Sequence, residues 1–151
     1  MESFETALVN AQSAMVSIAL EYVGGAADEV YIYGLAASSA RHFDVFYRIN
    51  GKVVPKHRLN DAVEGDPVYD VSPARQRGLL QVGNDALKSL VAVADALGQP
   101  MPTEIKGRFT VATGKLTSSF RYDEFYTDSS EISPNEFFKQ WLASVESGVG
   151  L

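Results

Sequence analysis

The Asn-Gly pair at positions 50 and 51 lies between two stretches that alternate like β-strands. Residues 43–49 read FDVFYRI, with aromatic or β-branched residues at every second position. This period of two is typical of a strand with a buried face. Asn-Gly is the strongest short signal for a two-residue hairpin, because both turn residues need positive φ. So short a turn also fixes the register, and the facing pairs are Tyr47 with Val54, Phe46 with Pro55, and Asp44 with His57.

This register has a consequence for the second strand of the hairpin. Pro55 falls at a position that makes no hydrogen bond across the hairpin, so its missing N–H would have pointed outward. Proline is tolerated at such a position in an edge strand. We therefore predict an edge strand over residues 52–59.

Residues 30–36, VYIYGLA, are apolar on both faces. Such a strand is central in its sheet, or its second face is covered. Two interpretations stay open. In one, helices cover one face of the sheet and loops cover the other. In the other, Tyr31, Tyr33 and Phe46 form an exposed aromatic patch that meets a partner, since contiguous exposed aromatics mark interaction sites.

Three helices are predicted from apolar periodicity and end signals. Apolar residues at steps of three and four follow Ser3 and stop before Gly24-Gly25, which indicates an N-terminal helix. Ser72-Pro73 begins a long middle helix that ends at Gly98. A capping box at residues 133–136 begins a short C-terminal helix that places Trp141 in the core. The predicted inner face of the middle helix consists of Leu79, Val82, Ala86, Leu90, Val93 and Leu97.

A second hairpin is predicted over residues 104–111 and 116–122, joined by Thr113-Gly114. Each strand alternates, with one face buried and one wet, and the hairpin should extend the first sheet. The prediction is therefore an α+β fold in one domain over residues 1–151. Its antiparallel sheet is built from two hairpin units and packed by an N-terminal, a long middle and a short C-terminal helix.

Composition limits the classes of function. The net charge is −6 and there is no cysteine, which excludes disulfides, thiolate chemistry and cysteine zinc sites. We find no basic stripe of the kind that nucleic-acid binders carry. No apolar run approaches the length of a membrane span, and no N-terminal signal segment is evident. The expectation is a cytoplasmic protein that binds neither nucleic acid nor membrane.

Two loops carry acids without any lysine or arginine. Residues 60–70, NDAVEGDPVYD, contain Asp61, Glu64, Asp66 and Asp70; residues 123–131, DEFYTDSSE, contain Asp123, Glu124, Asp128 and Glu131. Either they are solvated loops, or they form acidic contact surfaces that attract a basic partner.

Little in the sequence points to catalysis. Asp44 opposite His57 is a possible acid–base pair, but no G-x-S-x-G elbow supplies a nucleophile. The two histidines, His42 and His57, do not form a metal-binding pattern. No glycine-rich phosphate loop is present. We predict no catalytic residue, no cofactor and no metal.

Several segments carry a family resemblance. They are the N-terminal helix, FDVFYRINGKVVPKHRLN (43–60), PTEIKGRFTVATGKLTSSFRYDE (102–124) and SPNEFFKQWL (133–142). In this order the chain resembles the YezG-like family of bacterial immunity proteins, formerly a domain of unknown function. The resemblance implies an α+β antitoxin without catalytic residues. Such a protein occludes the C-terminal effector domain of a polymorphic toxin, often a nuclease.

Three hypotheses about function follow. The first is this immunity role, with the acidic loops as contact surfaces for the toxin and the protein itself a monomer or a homodimer. The second is a small enzyme that uses Asp44 and His57. The third is a structural or adaptor module that dimerises through Tyr31, Tyr33 and Phe46.

Overall fold

Residues 2–148 are described by the computed structural model, which confirms the α+β fold. Residue 1 and residues 149–151 of the predicted domain lie outside this range. The elements are α1 (Phe4–Tyr22), β1 (Glu29–Ala36), β2 (Arg41–Ile49), β3 (Lys52–Pro55), a 3₁₀ helix (Lys56–Ala62), α2 (Pro73–Leu97), β4 (Glu104–Thr110), β5 (Lys115–Arg121) and α3 (Pro134–Glu146). The antiparallel sheet has the strand order β3-β2-β1-β4-β5.

The Asn-Gly hairpin forms as predicted. Asn50 has φ 51° and Gly51 has φ 77°, the positive values that a type I′ turn requires. Phe46 pairs with Pro55 and Tyr47 pairs with Val54. β3 lies at the edge of the sheet, so the prediction drawn from Pro55 is confirmed.

The predicted length of this edge strand is wrong. β3 ends at Pro55, and residues 56–62 form the 3₁₀ helix instead of continuing the strand. The 3₁₀ helix brings Leu59 into the core, where its side chain is fully buried. Burying a leucine contributes about 2 kcal/mol relative to leaving it exposed, which favours the 3₁₀ helix over a longer edge strand.

Helices cover both faces of the sheet. β1 is its central strand, as its apolar sequence predicts. On one face, α1 and α2 pack over Val30, Ile32, Phe43 and their neighbours. On the other face, α3 packs over Tyr31, Tyr33 and Phe46. The interpretation that loops cover the second face is therefore only partly right, because α3 supplies most of the cover over β1, β2 and β3, and the loop residues Phe125 and Tyr126 add to it.

The ends of the helices follow the sequence signals. The side chains of Ser3, Ser72 and Ser133 each accept a hydrogen bond from a backbone N–H in the first turn of α1, α2 and α3. Gly98 ends α2 in the left-handed conformation, with φ 62°. These caps confirm where the helices begin and where α2 ends.

The predicted inner face of α2 is partly wrong. Its buried residues are Leu79, Gly83, Leu87, Leu90 and Ala94, whereas Val82 is 41% exposed. The buried stripe passes through Gly83, which an apolar pattern does not count. Trp141 of α3 is buried as predicted.

The second hairpin extends the sheet as predicted. β4 pairs with β1, with Ile32 opposite Gly107 and Gly34 opposite Ile105. β5 pairs only with β4 and forms the second edge of the sheet in the described chain.

Candidate protein-interaction surfaces

The aromatic patch predicted on β1 and β2 is not exposed. Tyr31, Tyr33 and Phe46 are 2%, 0% and 0% exposed. Tyr31 stacks on Phe46 with ring centroids 4.4 Å apart, and Trp141 of α3 meets Phe46 edge-on at 4.9 Å. The prediction of a partner-binding or dimerising surface at these three residues is therefore wrong, because α3 already occupies the face that a partner would need.

A polar cluster borders this aromatic core. The hydroxyl of Tyr33 donates to Glu104 Oε2 at 2.6 Å, and Lys106 Nζ lies 3.8 Å from the other carboxylate oxygen. Burial, followed by the bond to Glu104, raises the pKa of Tyr33 far above its ordinary value. Tyr33 therefore stays protonated and acts as a donor to a carboxylate that is itself buried. The cluster satisfies a buried charge within the sheet.

The proposed acid–base pair does not form. Asp44 lies 2.9 Å from Lys56 Nζ, and its carboxylate also accepts a hydrogen bond from the N–H of Val45 at 2.8 Å. His57 is exposed and lies on the 3₁₀ helix rather than on β3. The predicted register fails here because β3 ends before reaching His57. Asp44 is therefore half of a nearly buried ion pair, and the placement on which the enzyme hypothesis depended is wrong.

The first acidic loop, residues 60–70, is fastened by two side chains. The carboxamide of Asn60 accepts from the N–H groups of Val68 and Tyr69, both at 2.9 Å, and donates to the carbonyl of Tyr69 at 3.0 Å. The hydroxyl of Tyr69 donates to the carbonyl of Ala26 at 3.0 Å. These bonds close the loop on itself and tie it to the segment between α1 and β1.

The acids of this loop point outward. Asp61, Glu64, Asp66 and Asp70 are all exposed. Asp61 pairs with Arg58 at 3.3 Å, an exposed contact between residues of the 3₁₀ helix. Asp70 accepts from the N–H of Ser72 at 3.0 Å, and this bond lowers the pKa of Asp70. Asp28 lies at the same end of the sheet, where its carboxylate accepts from the N–H of Gly51 at 2.8 Å.

In the second acidic loop, residues 123–131, one charge is already compensated. Arg121 donates to both carboxylate oxygens of Asp123, at 2.6 and 3.0 Å, and this lowers the pKa of Asp123. The guanidinium also lies 4.2 Å from the ring centroid of Phe125. The remaining acids of the loop, all exposed, are Glu124, Asp128 and Glu131.

The two acidic loops lie at opposite ends of the sheet. Ala62, at the first loop, accepts from the side chain of Asn50 in the β2–β3 turn at 2.9 Å. The second loop follows Arg121. In the register of the sheet, Arg121 of β5 lies opposite Glu104 of β4, and Glu104 lies opposite Leu35 at the other end of β1. A strand of this length separates the ends by about 20 Å at 3.3 Å per residue. The loops also pack on opposite faces, the first with α1 and α2 and the second with α3.

The sequence does not predict that a group of cations lies together on one face of the sheet. The β4–β5 register places Lys106, Arg108, Lys115 and Arg121 on the same face as Tyr31 and Tyr33. α3 lies over β2 and β3, and the ring centroid of its Trp141 lies 5.8 Å from Lys106 Nζ. Lys115 and Arg121 of β5 are exposed. The sequence does alternate here, but the cations come from two strands, and only the register shows that they share a face.

Comparison of the chain with models of known protein families gives no match, and comparison with curated proteins gives none either. Within residues 2–148, no group of three or more His, Cys, Asp or Glu side chains is placed to hold a metal ion. No helix in that range is long and apolar enough to cross a membrane.

Proposed function

We propose that this protein is a cytoplasmic immunity protein that binds the effector domain of a cognate toxin and occludes its active groove. The observation that carries the proposal is the first acidic loop, which exposes Asp61, Glu64, Asp66 and Asp70 while Asn60 and Tyr69 hold its backbone. The resemblance of the sequence to YezG-like immunity proteins supports the same role.

A loop that is ordered before binding suits this task. Ordering a flexible segment at an interface costs about 0.5–1.5 kcal/mol for each immobilised side chain, and part of that cost is avoided when internal bonds already fix the loop. A cluster of exposed carboxylates also speeds encounter with a basic surface, such as the groove in which a nuclease holds its polyanionic substrate.

The first acidic loop is a better candidate for this contact than the second. Arg121 holds Asp123 of the second loop through two hydrogen bonds, at 2.6 and 3.0 Å, whereas Asp61 of the first loop has a single contact with Arg58, at 3.3 Å. Asp28 adds a further carboxylate beside the first loop. We therefore place the toxin on the end of the sheet formed by the β2–β3 turn and residues 60–70.

The test compares two variants of equal charge. In the first, Asp61→Asn, Glu64→Gln, Asp66→Asn and Asp70→Asn remove the charges of the first loop while keeping their shape. In the second, Asp123→Asn, Glu124→Gln, Asp128→Asn and Glu131→Gln do the same in the second loop. The proposed role predicts a toxin whose effector domain is encoded beside the gene for this protein, and that domain is the binding partner in the test.

The first variant should associate about 10-fold more slowly at low salt, with the difference shrinking at high salt. The second variant should associate at nearly the wild-type rate. Equal slowing in both variants would show that only net charge matters and would contradict the assignment of the surface. Failure of the wild-type protein to bind the neighbouring effector domain would reject the proposed function itself.

A further inference from the structure

The outer edge of β5 is open. β5 spans Lys115–Arg121 and, within residues 2–148, pairs only with β4; five of its seven residues are exposed and none is buried. The opposite edge of the sheet is better protected, because β3 has only four residues, ends at Pro55 and leads directly into the 3₁₀ helix that packs beside it. Short length, proline and covering elements are among the means by which proteins block strand edges, and β5 has none of these three. The protection that its edge does carry is the charge of Lys115 and Arg121.

The two faces of β5 differ in chemistry. The face shared with α3 carries Lys115, Thr117, Ser119 and Arg121, and Lys106 and Arg108 of β4 stand beside them. The other face carries Leu116 and Phe120, and Tyr122 follows the strand. Phe120 is 37% exposed and Tyr122 is 54% exposed. A strand added at this edge would meet cations on one side and apolar rings on the other.

Not all of these cations are equally available. Arg108 lies 3.4 Å from Glu29, Lys106 lies 3.8 Å from Glu104, and Arg121 is bound by Asp123. Lys115 is exposed, and no carboxylate of residues 2–148 lies within 4.0 Å of its ammonium. Lys115 is therefore the charge on β5 with most to gain from an acidic neighbour.

The same charges disfavour a second copy of this chain at the edge. Symmetric antiparallel pairing of two β5 strands about Ser118 would set Lys115 of each copy opposite Arg121 of the other. Like charges directly opposite each other in a sheet are destabilising, whereas opposite charges contribute roughly 0.2–1 kcal/mol for each pair. The edge therefore repels itself and suits a strand of opposite charge.

We propose that the β5 edge binds an extended segment of another protein in which acidic and apolar residues alternate. The segment adds a strand to the sheet through main-chain hydrogen bonds, as in other cases of strand addition. Its carboxylates face Lys115 and the cations beside it, while its apolar residues contact Phe120 and Leu116. This site is independent of the first acidic loop and has the opposite charge.

The probe is a short peptide of alternating glutamate and valine, and its binding is measured by fluorescence anisotropy. A lysine–valine peptide controls for charge, and a peptide with the same glutamates and valines in two blocks controls for alternation. A third control is the glutamate–valine peptide with N-methyl groups on the backbone amides that would pair with β5. These groups remove the main-chain hydrogen bonds and leave the protein unaltered. We expect the glutamate–valine peptide to bind and each control to bind at least about 10-fold more weakly.

The protein variant is Lys115→Glu, matched by Lys88→Glu on the exposed surface of α2. Both change the net charge equally. We expect Lys115→Glu to weaken binding of the glutamate–valine peptide about 10-fold, while Lys88→Glu changes it less than about 2-fold. Amide exchange should slow in β5 and not in β3 when the peptide binds. Equal loss in both variants, equal binding of the lysine–valine peptide, or no binding below about 1 mM would overturn the proposal.

Discussion

The ring of Phe43 on β2 lies in the space where a side chain at position 83 of α2 would begin. A Cβ built on Gly83 overlaps the edge of this ring, whereas a Cβ at Gly78 of the same helix meets no other atom within 4 Å. The close contact between α2 and the sheet at Phe43 therefore depends on the missing side chain of Gly83, and no such contact exists at Gly78. Gly83 is needed for packing, and Gly78 is an exposed helical position that any small residue can fill.

This relationship predicts opposite effects of the same substitution. Gly83→Ala should destabilise the protein by about 1–3 kcal/mol, because the added methyl group must displace the ring or the helix. Gly78→Ala should stabilise it by up to about 1 kcal/mol through higher helix propensity. Urea unfolding followed by circular dichroism measures both. Equal stabilisation by the two substitutions would show that α2 does not contact Phe43 in this way.

The difference between the two glycines shows where the sequence stops being informative. Ser72, Pro73 and Gly98 predict the limits of α2, because caps act within a few residues of themselves. The rotation of the helix about its axis depends on which residue meets Phe43, some forty positions earlier in the chain. An apolar pattern therefore predicts a buried Val82 and does not include Gly83.

The ion pair between Asp44 and Lys56 gives a second prediction. Both side chains are nearly buried and their charged atoms lie 2.9 Å apart. Lys56→Ala leaves the carboxylate of Asp44 without its cation, which should cost about 3–5 kcal/mol. Arg58→Ala, which breaks the exposed pair with Asp61, should cost at most about 1 kcal/mol. The free energies of unfolding in urea test the contrast, and similar values for the two variants would contradict it.

The candidate interaction surfaces can be predicted from the sequence only in part. The sequence identifies which loops are acidic, because charge is local. It does not show that the loops lie at opposite ends of the sheet, since that depends on how β4 and β5 pair with β1. Nor does it show that Tyr31, Tyr33 and Phe46 are covered, because an apolar strand looks the same whether a helix or a partner covers it.

The half-buried histidine on β2, His42, predicts a pH dependence of stability. Burial lowers the pKa of His42 below its ordinary value of 6.5; Asp44 acts against this shift and Lys56 adds to it. The unfolded chain therefore takes up the proton first as the pH falls. The contribution of His42 to stability is complete above pH 6.5 and is lost progressively as the pH falls toward the lower pKa of the folded state.

His42→Gln should remove this part of the pH dependence. The loss of stability between about pH 7.5 and about pH 5.5 should be smaller in His42→Gln than in the wild type. The matched variant His57→Gln should change it less, because His57 is exposed. Thermal unfolding at several pH values provides the measurement. If His42→Gln kept the wild-type slope, the charge of His42 would not be coupled to folding.

The attachment of α3 can be followed by fluorescence, because Trp141 is the only tryptophan in the chain. Phe138, one turn earlier, is buried, and its ring centroid lies 5.8 Å from those of Tyr33 and Phe46. Phe138→Ala should cost about 3–5 kcal/mol and loosen the helix from the sheet. Trp141 then meets water, so its emission should shift to longer wavelength.

Phe137 supplies the matched control for this experiment. It is only half-buried, and it contacts Phe125 of the second acidic loop, with ring centroids 4.9 Å apart, rather than the aromatic residues of the sheet. Phe137→Ala should therefore cost less than Phe138→Ala and leave the emission of Trp141 close to that of the wild type. Because the two phenylalanines are adjacent on α3, a general loss of helix would affect both variants alike. An equal red shift in both variants would mean that the position of α3 depends on the stability of the helix itself and on the preceding loop, and not on its contacts with the aromatic residues of the sheet.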